Sequence, residues 1–104
     1  NPAIQIVGCQ PMDGAKIPGI RKWPEAYLPK IFNHSRVDRV FEIAEKDARI
    51  MAKKLAREEA IFSGMSSGGA AHAAIELAKE LTAGVIVFIV CDRGDRYLSS
   101  DLFD

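Results

Sequence analysis

The sequence predicts an α/β domain built on a parallel sheet with crossover helices. Two observations lead there: short apolar runs alternate with helical periodicities in the order strand, helix, strand, helix, strand, and the last run, Val85 to Val90, reads as a strand covered on both faces. A third is the glycine- and serine-rich turn Gly64 to Ala71, which joins a short apolar run to an alanine-rich helix as strand-to-helix turns in parallel sheets do. With 104 residues, 48% of them hydrophobic, the chain is one domain or part of one. It opens at Asn1 without a methionine and stops abruptly at Asp104, the pattern of a cut or trimmed chain.

Ile4 to Cys9 reads as a compact apolar strand. Residues 11–33 follow, punctuated by Pro11, Pro18, Pro24 and Pro29; apolar and aromatic residues from Ile17 to Phe32 are too numerous for a tether, so an ordered, functional loop is expected. Val37 to Ile43 reads as a short strand with Asp38 and Glu42 facing solvent. From Ala44 to Glu59, Ala44, Ala48, Met51, Ala52, Leu55 and Ala56 recur at helical spacing while charged residues cover the other face, which makes a packing helix. A short strand at Ile61 and Phe62, the Gly64 turn, a helix from about Gly69 to Leu81 and the buried strand Val85 to Val90 complete the order.

Fourteen basic residues balance fourteen acidic ones, so the chain carries no electrostatic footprint for nucleic acid or an anionic membrane. The longest apolar run, Ala83 to Cys91, is nine residues, far short of the roughly 20 that span a bilayer. No signal-peptide pattern opens the chain, and a cytoplasmic protein is expected. Cys9 and Cys91 each end a strand-like run, which argues against a disulfide framework and for a reducing compartment. Two cysteines and two histidines without ligand spacing give no metal site, and His34 and His72 read as surface or packing residues.

Ligands of open parallel sheets bind beyond the carboxyl ends of the strands. The turn at Ser66 and the segment Cys91 to Ser99 both occupy that place, so they are expected to share a site. The residues alone leave three readings of the turn: an anion cradle at a helix N-terminus, a catalytic serine, or a hydroxyl that grips a cofactor ring. Gly64-Met65-Ser66-Ser67-Gly68 satisfies the Gly-x-Ser-x-Gly pattern of a hydrolase elbow, but no histidine follows the downstream acids, and His72 lies six residues on within the helix, the wrong place for a base. No Walker lysine follows the glycines, which weakens the phosphate reading.

Gly64 to Ala70, followed after one helix and one strand by Cys91-Asp92-Arg93-Gly94-Asp95-Arg96-Tyr97-Leu98-Ser99, resembles the carboxyl-terminal part of the pyridoxal-phosphate cysteine synthases, the O-acetylserine sulfhydrylases. The resemblance runs nearly end to end, through Ile17-Pro18-Gly19-Ile20-Arg21-Lys22-Trp23-Pro24, Tyr27-Leu28-Pro29, Ile31-Phe32-Asn33 and Val37-Asp38. Arg21-Lys22-Trp23 and Cys91-Asp92-Arg93-Gly94 are similar to the B-type enzymes; the A type carries small glycine-rich residues at the first place and a proline-serine segment at the second. The resemblance implies a three-layer piece of the parallel sheet in the large domain of a fold-type II, tryptophan synthase beta-like enzyme. It also implies L-cysteine or S-sulfocysteine made from O-acetylserine and sulfide or thiosulfate, and a homodimer when complete. Related readings are an A-type cysteine synthase, a cystathionine beta-synthase, or a non-catalytic binding module that keeps the sheet.

By the same resemblance, residues 11–33 are an active-site loop and residues 64–81 a cofactor-facing turn and helix. Ser66 faces the ring nitrogen of pyridoxal phosphate, where a neutral hydroxyl cannot hold a proton as a carboxylate would, and Ser67 is left to cap the helix. Cys91 lines the cofactor pocket. Gly19, Arg21, Lys22 and Trp23 form a mobile loop at the substrate entrance, whose two cations suit an anionic sulfur donor and whose indole shields the site from water. The family's cofactor lysine, phosphate loop and substrate-carboxylate loop belong to its amino-terminal portion. None of the seven lysines, at 16, 22, 30, 46, 53, 54 and 79, sits in a motif resembling that lysine. Roughly a third of an enzyme is therefore expected, inactive alone and completed by the amino-terminal part of the same protein.

Overall fold

A computed structural model describes residues 1–104. Two strands, β1 (Val7–Pro11) and β2 (Arg39–Ile43), pair in parallel, with Val7 opposite Arg39 and Pro11 opposite Ile43. Parallel neighbours need a long crossover, commonly a helix. Residues 12–38 make it here as an irregular loop with single 3-10 turns at Glu25–Tyr27 and His34–Arg36. Proline has no N–H to give a ladder, and Pro11 sits at the strand's last position, where that costs least.

β1 begins three residues later than the apolar pattern suggested. The Asp38 carboxylate accepts from the Ile6 N–H at 2.7 Å and so ends the pairing, leaving Ile4 and Ile6 60% and 49% exposed. In β2 the alternation is clean: Ile43 is fully buried, Arg39 and Phe41 share its face, and Val40 and Glu42 face out. Arg39 also lays its guanidinium 4.4 Å over the Phe41 ring and forms a bidentate ion pair with Glu80.

α1 (Glu45–Glu59) matches its periodicity, burying Ala48, Ala52 and Leu55. Glu45 and Asp47 in its first turn and Arg57 in its last complement the helix dipole. The helix stops where Ala60 turns left-handed, with φ 56°, and the Ile61 N–H bonds back to the Leu55 carbonyl at 2.9 Å. α2 (Met65–Ala78) starts four residues before the expected Gly69 and ends three before Leu81. Serine and glycine are poor helix formers, so propensity delays the start; packing advances it. A Cβ on Gly68 would lie 2.2 Å from the Ala48 carbonyl oxygen and 2.8 Å from the Ala52 nitrogen, so this glycine is where the two helices meet backbone to backbone.

Two expected strands are absent. Ile61 and Phe62 are not in a ladder: the Phe62 carbonyl instead accepts from the Gly94 N–H at 2.9 Å, and the Phe62 ring packs against Phe103. Val85 to Val90 is neither paired nor buried, with Val85, Val87 and Ile89 92%, 83% and 69% exposed. An inner parallel strand is apolar on both faces because neighbours and helices cover it, and none of these 104 residues supplies them.

The core joins Ile43, Ala48, Ala52, Met65 and Ala73 to Ile17 from the crossover loop and Leu102 from the carboxyl-terminal segment. Ile17 is the loop's one buried large apolar residue; Tyr27 and Ile31 are 73% and 95% exposed, so the loop is pinned at its first half only. That pin sets Gly19 and Ile20 against α2.

Candidate functional site

The first turn of α2 begins at Gly64, an N-cap with no side chain to offer. A Cβ there would come 2.2 Å from the Tyr97 ring and 2.7 Å from the Asp92 carboxylate. Those two groups close over the turn: Asp92 Oδ1 accepts from the Gly64 N–H at 3.1 Å, and the Tyr97 hydroxyl donates to Asp92 Oδ2 at 2.5 Å. Donation to the carboxylate, reinforced by partial burial, pushes the Tyr97 phenol up to about 12. From the helix side, the Ser67 hydroxyl accepts from the Cys91 N–H at 3.2 Å. The two segments expected to share a site are thus joined by hydrogen bonds in both directions.

Ser66 stands between those bonds as the second residue of α2. It is 8% exposed, and its hydroxyl takes part in none of the chain's side-chain hydrogen bonds. Gly19 faces it from the loop at φ +90°, so close that a Cβ would be 2.9 Å from Ser66 Cβ and 3.0 Å from its Oγ. Ser63, Ser66 and Ser67 are the chain's buried polar side chains, and the Ser63 hydroxyl has no partner. Ser67 does not cap the helix, contrary to expectation, because α2 starts at Met65 and leaves Ser67 inside its first turn, where its oxygen accepts from Cys91.

Gly19, Arg21, Lys22 and Trp23 line one hollow of about 760 Å³, bounded by residues 11–24. Arg21 lies 5.5 Å over the Trp23 ring, which is 45% exposed. Lys22 is not a free cation: Asp13 and Glu42 stand 3.8 and 4.0 Å from its Nζ. Ser66 and Cys91 lie outside this hollow, and Gly19, which lines it, also faces Ser66. Cys91 is exposed and does not end a buried strand; its thiol reaches only the Ile89 carbonyl, at 3.8 Å.

This geometry bears on two readings of the turn. A carboxylate of the same chain already takes the Gly64 N–H, which weighs against an anion held at that N–H. A nucleophile elbow holds its serine on a strained turn, whereas Ala60 is the only non-glycine residue with positive φ and Ser66 lies within the helix. His72 pairs at 3.9 Å with Asp47 of α1, and His34 packs edge-on to Phe32, so both histidines serve surface and packing. Ser66 offers a shielded hydroxyl with no partner in the chain, set among small residues, a group able to hydrogen-bond the edge of a flat ring.

Residues 1–92 match the profile of the family described as pyridoxal-phosphate dependent enzyme. The chain belongs to the pyridoxal-phosphate-dependent enzymes. Among curated relatives in this family, it is 59% identical over 104 residues to cysteine synthase B of Pseudomonas aeruginosa, covering 100% of this chain and 35% of that protein. It is 53% identical over 100 residues to cysteine synthase B of Escherichia coli, covering 96% of this chain and 33% of that protein. Among solved structures, cysteine synthase from Entamoeba histolytica superposes with a TM-score of 0.83 at 33% identity, over 96% of this chain and 32% of that one. O-ureido-L-serine synthase does so with a TM-score of 0.85 at 28% identity, over 99% and 35%. The chain spans about a third of the length of the relatives it matches. No helix is long and apolar enough to cross a membrane.

For this pyridoxal-phosphate-dependent enzyme, the sequence singled out Ser66 and set the Gly64 turn beside the segment Cys91 to Ser99, while Asp92 and Tyr97 were given no role of their own. Their signal is faint: an acid and a phenol five positions apart after an apolar run, meaningful only once the Gly64 turn is seen beside them.

Proposed function

We propose that these residues form one wall of the cofactor pocket in an enzyme that replaces the beta-acetoxy group of O-acetylserine with sulfur, yielding L-cysteine from sulfide or S-sulfocysteine from thiosulfate. Pyridoxal phosphate, when bound, supplies the electron sink that lets the substituent leave and the nucleophile add. This chain supplies the contact to the cofactor ring at Ser66, with Cys91 beside it, and the entrance loop at Gly19, Arg21, Lys22 and Trp23. The observation that carries the reading is the Ser66 hydroxyl, 8% exposed, without a partner in the chain, and faced by a glycine that leaves it room.

The cofactor lysine and the phosphate-binding loop belong to the remainder of the polypeptide, so residues 1–104 alone are inactive. The exposed apolar run from Val85 to Val90 supports that division, since it offers backbone and side chains to neighbours from outside these residues. The complete enzyme is a cytoplasmic homodimer.

Two comparisons in the complete enzyme test the reading. Ser66→Ala keeps the fold and part of the activity, while Ser66→Asp favours a protonated ring, shifts the cofactor absorption band and slows turnover. Unchanged spectra and rates in both variants would reduce Ser66 to a helix residue. At the entrance, Arg21→Ala with Lys22→Ala lowers the ratio of thiosulfate to sulfide specificity constants, because a doubly charged donor feels the lost cations more. Arg21 accounts for most of this, since Lys22 is already flanked by Asp13 and Glu42. A constant ratio with both constants lowered makes the loop a general lid.

A further inference from the structure

The hydroxyl at Ser66 has a defined position only if the first turn of α2 is held still, and that turn lacks the usual means. Its N-cap, Gly64, has no side chain, and its third residue, Ser67, is committed to Cys91. In a capping box the third helical side chain reaches back to the N-cap N–H. Here a carboxylate from a segment 28 residues away makes that bond, at 3.1 Å. Its second oxygen is held by the Tyr97 hydroxyl at 2.5 Å, and the Tyr97 ring lies where a Gly64 Cβ would be. The bond from the Cys91 N–H to Ser67 comes from the residue next to Asp92. Ser66 is thus bracketed on both flanks by one dipeptide, Cys91-Asp92.

We propose that Asp92 is a positioning residue that fixes the Ser66 hydroxyl at the cofactor ring by gripping the Gly64 N–H with one carboxylate oxygen and the Tyr97 hydroxyl with the other. The proposal rests on the reading of Ser66 as the ring contact.

The test is the absorption and fluorescence of pyridoxal phosphate bound to the complete enzyme, with the cofactor dissociation constant, in five variants. Ser66→Ala shifts the bands if Ser66 touches the ring. Asp92→Ala shifts them as well and raises the dissociation constant about tenfold, the order expected when hydrogen bonds to a charged group are lost. Asp92→Asn restores most of both, because its amide oxygen accepts from Gly64 and its NH2 can donate to the Tyr97 oxygen. Tyr97→Phe, the milder lesion should Asp92→Ala fold poorly, gives a smaller shift in the same direction. Arg39→Ala, which breaks the ion pair to Glu80 away from the turn, lowers the melting temperature and leaves the bands in place. If Ser66→Ala shifts the bands while Asp92→Ala and Tyr97→Phe match wild type, or if Asp92→Asn is no better than Asp92→Ala, Asp92 does not position the hydroxyl. If Ser66→Ala itself leaves the bands unmoved, the ring-contact reading fails first and the inference with it.

Discussion

Tyr97 is held to Asp92 by a hydrogen bond that its own ionisation destroys, so its contribution depends on pH in a definite direction. Its phenol is raised from 10.0 to about 12, so the stabilising contact is fully present below pH 10 and is lost as pH rises through about 12. Above that, a phenolate beside a carboxylate repels it and releases Gly64. The unfolding midpoint of wild type should therefore exceed that of Tyr97→Phe below pH 10, and the gap should close by about pH 12. A gap that is constant across this window would mean that the phenol does not bond to Asp92. At this scale, legibility tracked sequence distance. Ser66 stood out because its glycine neighbours are adjacent in the chain. Asp92 did not, because its meaning lies in an N–H 28 positions away. Cys91 was misjudged on burial, since the strand it was expected to end has no neighbours here.

α1 was readable almost to the residue, because apolar positions at helical spacing and a polar opposite face are local properties. α2 was not, since its first turn is serine and glycine, whose propensities argue against a helix that packing against α1 imposes. Gly68→Ala separates these effects. Propensity alone would favour alanine by about 1 kcal/mol in a helix interior. The added Cβ, however, would come 2.2 Å from the backbone oxygen of Ala48, a contact no side-chain rotation relieves. Overpacking of this kind costs roughly 1–3 kcal/mol, so the clash wins and Gly68→Ala lowers stability in urea unfolding of the complete protein. A more stable variant would show that the helices are not in contact at this glycine. The β strands were found with shifted ends, because the Ile6–Asp38 bond that ends the pairing uses a side chain that no hydrophobic pattern records.

For the whole molecule, the α/β class and the parallel pairing were legible, but the number of paired strands was not. Patterning reports which residues seek cover; it does not say whether the cover lies in the same 104 residues. Val85 to Val90 has an inner strand's composition and a surface position, the combination expected of a piece whose sheet continues in the rest of the polypeptide. On the function proposed above, the same division of labour puts the ring contact in this piece and the cofactor lysine outside it. Among its buried polar side chains are three serines and no lysine. Borohydride reduction of the complete enzyme loaded with pyridoxal phosphate, followed by peptide mass mapping, tests that division most directly. The account predicts one stoichiometrically labelled lysine, on a peptide outside residues 1–104, and no stoichiometric label within them. Stoichiometric labelling of Lys16, Lys22, Lys30, Lys46, Lys53, Lys54 or Lys79 would contradict it.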